Sequence, residues 1–381
     1  MLDRVAEGLD PAILRLLFGE KAPPEVPQLV RGAGLRAMAI HAARREIAVA
    51  RSRAGDRGAV WRRRPNLLLG TPRERAAAWL TMGAVLGAPR STSLGSLLHK
   101  ASFIARPGPP SLGADNSLRL IGSHDGNPAV LRVGIPGTPS DPSVAAHALE
   151  VLAGVPSVPA LRDRGDHDGW VFTVEELLSG APATTVTPVL VTDLSAWFLA
   201  LAQHPVPGTS QDALAAAIAS NARVLATAGP AVADRVFAVA ETLAAADLLV
   251  PAPLHGDLWA RNVLLVDGHL SGIVDWDGFT PVGAAGVDLV HTLAVDLRMR
   301  RRTSSGAVAA TRPWARREWS EPLSGVLDTW GGPSGPDAID AVGTAWWLTT
   351  TAASLRRIPR LAHDLGWLRD NVEVPARVLA P

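Results

Sequence analysis

Two carboxylates and one amide, closely spaced along the chain, are the side chains best suited to chemistry. Asp257 precedes Asn262 by five residues, and Asp275 follows Asn262 by thirteen. Carboxylate and amide oxygens suit a hard cation such as Mg²⁺, and a further carboxylate can orient an attacking hydroxyl and accept its proton. Phosphoryl transfer asks little more of a protein than positioning and charge neutralisation, so this set indicates that chemistry.

A predicted β-hairpin is the element that brings these residues together. The short apolar segments on either side of Asp267-Gly268 are its strands, because this dipeptide favours a two-residue turn. Antiparallel pairing places Asn262, just before the first strand, beside Asp275, just after the second. Asp257 lies on the loop that leads into the first strand.

The same segment resembles a known family. HGD at 255–257, Asn262 and IVDWDG at 273–278 are similar to the aminoglycoside phosphotransferase and choline kinase group, small-molecule relatives of the eukaryotic protein kinases. The resemblance is specific over 254–291, extends by element order over 112–250, and is absent from the first hundred residues. It implies an α+β, two-lobed protein-kinase-like fold that uses ATP and Mg²⁺.

The resemblance also implies a role for each residue of the motifs. Asp257 matches the catalytic aspartate that orients the acceptor hydroxyl. The positions that match metal ligands are Asn262 and Asp275, with Asp277 assisting. The positions that match structural support of the catalytic loop are His255 and Asp288. The remaining histidines have no metal-ligand spacing and are given no role.

The phosphate-binding positions of the small lobe resemble the family less closely. Gly113 to Asn116 occupies the place of the phosphate-covering loop, where backbone amides can cradle phosphates; a plain turn is the alternative. Related enzymes carry a lysine on the next strand, and this chain has Arg132 there. Its two lysines, Lys21 and Lys100, both lie outside the lobe. An arginine can hold phosphate oxygens through two donors, with a geometry that differs from that of an ammonium group.

The glutamate that pairs with this lysine in the family has no equivalent at its usual position. The helix SVAAHALEVLAG places Ala145 or His147 there, with Glu150 one turn away as its only carboxylate. This alteration implies weakened catalysis or an inactive nucleotide-binding protein. Further along, Glu175 and Glu176 resemble the hinge at which backbone groups bind adenine, and an edge strand that ends in a turn is the alternative.

Three regions are expected along the chain. Residues 1–105 form a helical, Arg-rich N-terminal extension, with helices over 35–53 and 72–86. Residues 106–178 form the β-rich small lobe, which starts at the RPGPP breaker cluster and has the order strand, strand, helix, strand. Residues 179–381 form the mainly helical lobe, which contains the catalytic loop 254–279 and helices predicted at 192–203, 210–228, 230–249, 285–298 and 336–364.

Charge is unevenly distributed, although the net charge is only +1, which argues against a nucleic-acid binder. Twelve arginines oppose three acidic residues between positions 31 and 75. This excess is either a solvated helical face or a dock for an acidic peptide or protein partner. The candidate acceptor region, by resemblance, contains Trp259, Arg298, Arg301 and Arg302. Aminoglycoside sites are acidic, so a basic region favours a neutral or anionic acceptor, unless it is only a solvated loop.

The acceptor class stays open at this stage. It is either a hydroxyl of a small molecule, such as a sugar, an amino alcohol or an antibiotic, or a Ser/Thr hydroxyl of a precursor peptide. The absence of cysteine excludes disulfides and thiolate catalysis. The first ten residues carry three acidic residues, and there is no run of eighteen apolar residues. We therefore expect no secretory signal, no membrane span and a cytoplasmic location.

Overall fold

A computed structural model describes the chain in segments: 49–50, 104–107, 118–124, 127–134, 136–137, 141–167, 170–245 and 247–380. The chain divides into two compact units. The first comprises Met1–Ala146 and Leu161–Leu177, and the second comprises His147–Ala160 and Leu178–Pro381.

The first unit is built on one antiparallel sheet. Its strands are β1 (Val49–Ala50), β2 (Ile104–Pro107), β3 (Leu118–His124), β4 (Asn127–Gly134), β5 (Leu161–His167) and β6 (Trp170–Glu176). The strand order is β1-β2-β3-β4-β6-β5. The predicted hairpin is present, since His124 pairs with Asn127 at the turn between β3 and β4. Helix α1 (Ser143–Val151), which begins in this unit, was also predicted.

Strand β5 was absent from the sequence prediction. Its sequence, LRDRGDH, is strongly polar and carries no run of apolar residues. Among the residues that the structure describes, the strand lies at the end of the sheet and pairs only with β6. Arg162, Arg164 and Asp166 are exposed and alternate with less exposed residues. Charged side chains are common on such edge strands because they discourage pairing with another chain, so the strand cannot be recognised by hydrophobicity.

The helix predicted over 35–53 is wrong at the two of its residues that the structure describes. Val49 pairs with Ala105, and Ala50 pairs with Ile104, so part of the predicted helix 35–53 is a strand. Pairing with β2 overrides the local helical preference of this Ala-rich segment. Strand β2 also crosses the expected boundary at residue 105. The rest of the predicted helices lies outside the described residues.

The second unit contains two small antiparallel sheets. Its strands are β7 (Ala181–Pro182), β8 (Pro251–Leu254), β9 (Val263–Val266), β10 (His269–Ile273) and β11 (Thr280–Ala284). One sheet has the order β10-β9-β7, and the other pairs β11 with β8. The β9–β10 hairpin is the one predicted around Asp267-Gly268, whereas β8 and β11 were not predicted.

Helices make up the remainder of the second unit. They are α2 (Pro188–Ala202), α3 (Gln211–Ala228), α4 (Ala233–Ala245), α5 (Val287–Arg301), α6 (Ser305–Ala310), α7 (Arg317–Thr329), α8 (Pro336–Arg357), α9 (Leu365–Leu368) and α10 (Val374–Leu379). Thr187 and Ser210 cap α2 and α3 with their hydroxyls, as their residue types favour. All five helical segments predicted for this region contain helix.

Helix α8 is central to this unit. Every residue from Ala341 to Leu348 is buried, so this stretch has no solvated face, as expected of a helix surrounded by protein. Trp346 and Trp347 are among its largest fully buried side chains. Within the described residues, no helix combines the length and the apolar composition that a bilayer crossing requires.

Candidate active site

The β9–β10 hairpin places Asn262 and Asp275 at its open end. Val263 pairs with Ile273 in the ladder, and the backbone amide of Val274 donates to the carbonyl oxygen of Asn262 at 2.9 Å. Asp275 is the next residue along the chain. The backbone contact predicted from the turn signal is therefore present in the structure.

The side chain of Asn262 is oriented by the catalytic loop. Its Nδ2 donates to the backbone carbonyl of Asp257 at 2.8 Å. With the nitrogen engaged in this way, the amide oxygen is the end available to a cation. Together with Asp275 it supplies hard oxygen ligands of the kind that Mg²⁺ takes when phosphate oxygens and water complete its coordination, so the donor set fits this ion.

Asp275 has a backbone conformation that few non-glycine residues adopt. Its φ and ψ are 72° and 57°, in the left-handed region. Such strain concentrates at functional sites, and aspartate tolerates it better than most residues. A short 3₁₀ segment, Trp276–Gly278, follows at once and contains Asp277. No group of three or more His, Asp or Glu side chains forms a metal cluster within the segments that the structure describes.

Asp288 holds the backbone of the catalytic loop. Its Oδ2 accepts from the amide of His255 at 2.6 Å, and its Oδ1 accepts from the amide of Gly256 at 3.1 Å. The side chain is buried, and this burial raises the pKa of Asp288, while the two amide hydrogen bonds act in the opposite direction. The contacts match the supporting position that the family resemblance implies.

His255 joins this loop to the end of β10. The backbone amide of Asp257 donates to its Nδ1 at 3.3 Å, and its Nε2 lies 3.1 Å from the carbonyl oxygen of Val274. Because Nδ1 accepts, the proton is on Nε2, which donates to the carbonyl. The ring is fully buried and lies 4.5 Å from the ring of Trp276, between centroids. Both ring nitrogens are thus engaged with backbone atoms of the site.

A glycine is required at position 256, both for the backbone conformation and because there is no room for a side chain. Its φ is +79°, and a Cβ at this position would collide with the backbone carbonyl of Gly278. The backbones of the catalytic loop and of the 3₁₀ segment after Asp275 therefore approach each other more closely than any side chain allows. This approach helps to set the position of Asp257 relative to Asp275.

Two residues that the sequence analysis did not identify contact the carboxylate of Asp257. His291 Nε2 lies 3.3 Å from Oδ1, and Arg357 Nη1 lies 3.7 Å from Oδ2. His291 is three residues after Asp288 on α5, so the helical spacing is a signal that could have identified it. Arg357, a hundred residues from Asp257, gives no such signal.

In the first unit, Arg132 has a carboxylate partner that the sequence analysis missed. Its Nη1 lies 3.6 Å from Glu175 Oε1, which also accepts from the hydroxyl of Thr173 at 3.0 Å. Arg132 and Glu175 are both buried. A carboxylate partner of Arg132 therefore comes from β6, a neighbouring strand of the same sheet.

The two glutamates predicted at the hinge, Glu175 and Glu176, lie at the end of β6. The side chain of Glu175 pairs with Arg132, and that of Glu176 lies 3.5 Å from Arg162. Both backbones pair with β4. The alternative of an edge strand is wrong, because β6 lies between β4 and β5. Gly113 and Asn116 lie outside the described residues, on the connection between the paired strands β2 and β3.

The candidate acceptor region is spread over several places in the second unit. Trp259 precedes the 3₁₀ segment Ala260–Asn262, and the Arg261 guanidinium lies 5.8 Å from its ring centroid. The three arginines predicted here lie at the C-terminal end of α5: Arg298, Arg301 and Arg302. Arg302 lines a surface cavity with Ser304 and Asp370. The arginine that the structure places at Asp257 is instead Arg357.

Comparison with known proteins gives one family match. A sequence model described as the phosphotransferase enzyme family matches residues 108–342, which is more than half of the chain. The match confirms the resemblance seen in the motifs and the protein-kinase-like fold inferred from it. No curated protein sequence matches the chain.

Several solved structures are similar in fold at low sequence identity. A thermostable variant of aminoglycoside phosphotransferase APH(4)-Ia, in complex with ADP and hygromycin B, is 15% identical, with 72% of this chain and 93% of that chain covered and a TM-score of 0.45. ADP-bound APH(2'')-Ib is 13% identical, with 71% and 93% covered and a TM-score of 0.44. Aminoglycoside-3'-phosphotransferase of type VIII is 21% identical, with 62% and 89% covered and a TM-score of 0.38.

Proposed function

Because the chain belongs to the phosphotransferase enzyme family, we propose that it transfers the γ-phosphoryl group of Mg-ATP to a hydroxyl of a small molecule. The observation that carries the proposal is the arrangement of Asp257, Asn262 and Asp275 around the β9–β10 hairpin. The hydrogen bond from Asn262 to Asp257 and the backbone contact between Val274 and Asn262 link all three positions.

Each residue has a distinct part in this reaction. The carboxylate of Asp257 orients the acceptor hydroxyl and takes its proton as the oxygen attacks the γ-phosphorus, while the bond from that phosphorus to the bridging oxygen breaks and ADP leaves. The amide oxygen of Asn262 and the carboxylate of Asp275 would hold Mg²⁺, with Asp277 assisting. When bound there, the ion would neutralise charge on the phosphate oxygens. In the first unit, Arg132 binds phosphate oxygens of the nucleotide.

The buried pair of Arg132 and Glu175 supports an active enzyme over an inactive nucleotide-binding partner. In the family, a lysine that binds phosphates is oriented by a glutamate, and the sequence suggested that this glutamate was lost. The structure has a carboxylate within 3.6 Å of the arginine, from a neighbouring strand. A charge-assisted contact of this kind orients the guanidinium as the usual pair orients the lysine.

Arg357 supports a neutral or anionic acceptor. Its guanidinium lies beside the carboxylate of Asp257, which would orient the acceptor hydroxyl, and 55% of the Arg357 side chain is exposed. A polycationic acceptor would be repelled by this charge, whereas a carboxylate or phosphate group on the acceptor would be attracted. The basic segment 31–75, which could dock an acidic peptide, lies outside the described residues except at Val49 and Ala50, so it adds no support for a peptide acceptor.

The proposal is tested by incubating the full-length chain with Mg-ATP and hydroxyl compounds grouped as cationic, neutral and anionic. Mass spectrometry should detect the gain of one phosphoryl group in a neutral or anionic acceptor, with the wild type and not with Asp257→Ala. Asp267→Gly is the matched control, because Asp267 is a turn residue with positive φ that glycine adopts freely.

The preference for neutral or anionic acceptors is tested by a separate variant at Arg357. Arg357→Gln should weaken turnover of anionic acceptors more than that of neutral ones.

Equal turnover in the wild type and Asp257→Ala would refute the proposed chemistry. A cationic compound as the best acceptor would refute the proposed acceptor class.

A further inference from the structure

We propose that Trp346 and His291 form a positioning pair that fixes the carboxylate of Asp257 for catalysis; this inference rests on the proposed function. The indole Nε1 of Trp346 lies 3.2 Å from His291 Nδ1, and His291 Nε2 lies 3.3 Å from Asp257 Oδ1. The three side chains form a chain of hydrogen bonds from the buried helix α8, through α5, to the catalytic loop.

The direction of both hydrogen bonds follows from the chemistry of the indole. An indole N–H can only donate, so His291 Nδ1 must present its lone pair to Trp346. The neutral imidazole then carries its single proton on Nε2, which donates it to the carboxylate oxygen of Asp257. In the opposite tautomer, two N–H groups would face each other and a nitrogen lone pair would face the carboxylate. Trp346 therefore selects the tautomer that binds Asp257.

Trp346, the first residue of this series of hydrogen bonds, is held firmly in the interior of the second unit. Trp346 is 1% exposed and lies within the fully buried stretch of α8. Its ring makes an edge contact with that of Trp314, with centroids 6.1 Å apart. The indole of Trp314 in turn donates to Asp340 Oδ1 at 2.9 Å. The donor that sets the tautomer of His291 therefore has little freedom to move.

Helix α5 thus fixes the catalytic loop at two levels. Asp288 holds the backbone amides of His255 and Gly256, while His291, one turn later, holds the side chain of Asp257. A reacting group misplaced by about 1 Å can lower the rate by about a hundredfold, so a second anchor on the carboxylate itself affects catalysis directly. His291 acts through Asp257 and is a positioning residue.

The tautomer can be measured without any turnover. In ¹⁵N-labelled full-length protein, imidazole ¹⁵N spectra of His291 should show the proton on Nε2. In Trp346→Phe, which removes the indole N–H and keeps an aromatic ring, the Nε2-protonated population should fall. An unchanged tautomer in Trp346→Phe would overturn the proposal, whatever the activity of the protein.

Kinetics then test whether the pair acts on the chemical step. His291→Ala should lower kcat by about ten- to a hundredfold and leave KM for ATP unchanged, because the anchor is needed for orientation and not for nucleotide binding. His291→Gln, whose amide can place an N–H near the position of Nε2, should recover most of the loss. Trp346→Phe should lower kcat less than His291→Ala does.

Trp347→Phe is the matched control for Trp346→Phe. Trp347 is the next residue on α8, is fully buried, and donates its indole N–H to the backbone carbonyl of Asn371 at 2.9 Å. Both variants lose one indole hydrogen bond and a similar volume, but only Trp346 contacts His291. The midpoint of thermal unfolding should fall by a similar amount in both variants, whereas kcat should fall only in Trp346→Phe. Equal kcat values in the two variants would contradict the inference.

A double variant separates tautomer selection from packing. A glutamine side chain has no tautomers, so Trp346→Phe should not lower kcat further once His291→Gln is present. A further loss in the double variant would mean that Trp346 acts only through packing, which overturns the pair. If the wild type has no phosphotransferase activity, the proposed function fails, while the ¹⁵N measurement still decides whether Trp346 sets the tautomer.

Discussion

The hydroxyl of Thr292 donates to the backbone carbonyl of Leu258 at 2.8 Å. Thr292 follows His291 on α5 and is fully buried, so a third residue of this helix holds the catalytic loop. Asp288, His291 and Thr292 together bind four consecutive residues of the loop, His255 to Leu258. One turn of one helix therefore anchors the catalytic loop from His255 to Leu258, and variants at this and other contacts of the site can test their importance.

Asp288→Asn should destabilise the protein by about 1–3 kcal/mol, because an amide offers only one acceptor oxygen to the two backbone N–H groups of His255 and Gly256. Activity should fall as well, since the loop loses a backbone anchor. The measurement is denaturant unfolding combined with kcat at a fixed pH. An unchanged unfolding free energy would contradict the role of Asp288 in the loop.

The same variant has a predicted pH dependence. Burial raises the pKa of Asp288 above its ordinary value of 3.8, so the native state binds this proton more tightly than the unfolded chain does. The contribution of this titration to stability is complete below pH 3.8 and is lost as the pH rises through the native pKa. The difference in unfolding free energy between the wild type and Asp288→Asn should therefore shrink as the pH increases, and a difference that grows would contradict this assignment.

Gly256→Ala should lower stability and activity far more than Gly268→Ala. Both glycines have positive φ, at +79° and +85°, so both substitutions carry the left-handed penalty of about 1–2 kcal/mol. Only at Gly256 does the added Cβ also meet the backbone carbonyl of Gly278, whereas Gly268 has open space around it. Thermal unfolding and kcat measured on both variants give the comparison. Equal effects would show that the close approach at Gly256 is unimportant.

Arg132→Met should destabilise the first unit by about 3–5 kcal/mol, because it leaves the buried carboxylate of Glu175 without its guanidinium partner. Adding Glu175→Gln should recover much of this stability, since the unpaired charge is removed. KM for ATP should stay raised in both variants, because the phosphate ligand is absent. Recovery of a normal KM in the double variant would exclude Arg132 from nucleotide binding.

Asp275→Asn should raise the Mg²⁺ concentration needed for half-maximal activity by more than about tenfold. Asparagine tolerates the left-handed backbone of this position, so the change tests the ligand and not the fold. Asp277→Asn is the comparison and should have a smaller effect. Activity titrated with Mg²⁺ after removal of metal by a chelator is the measurement, and a larger effect at Asp277 would reverse the assignment of the main ligand.

The sequence was most informative where local signals coincide with the site. The Asp267-Gly268 turn and its apolar flanks were enough to predict the β9–β10 hairpin and the approach of Asn262 to Asp275. Contacts between distant parts of the chain left no such signal. Arg357 meets Asp257 because α8 ends beside the loop, and nothing in the spacing of the two residues indicates this.

Glu175 shows a different reason why prediction fell short. The family resemblance placed the partner of Arg132 on a helix. In the sheet, Arg132 lies opposite Thr173, so Glu175, two residues further on, is its diagonal neighbour on the same face. Strand order and register were needed to see this pair, and neither could be read from composition. Strand β5, which lies next to β6, was also absent from the sequence prediction, so the position of β6 in the sheet could not be predicted.

Helix α8 contributes to the site in two chemically different environments. Trp346 belongs to its buried stretch, where a change of shape disturbs the packing on every side, whereas Arg357 belongs to its last turn and is half exposed. Substitution of the residue at the end of the helix should therefore disturb the fold less than substitution of the interior residue. Among relatives, differences in acceptor preference should therefore arise mainly at this exposed turn. The orientation of the catalytic aspartate should stay the same where the interior of the helix stays the same.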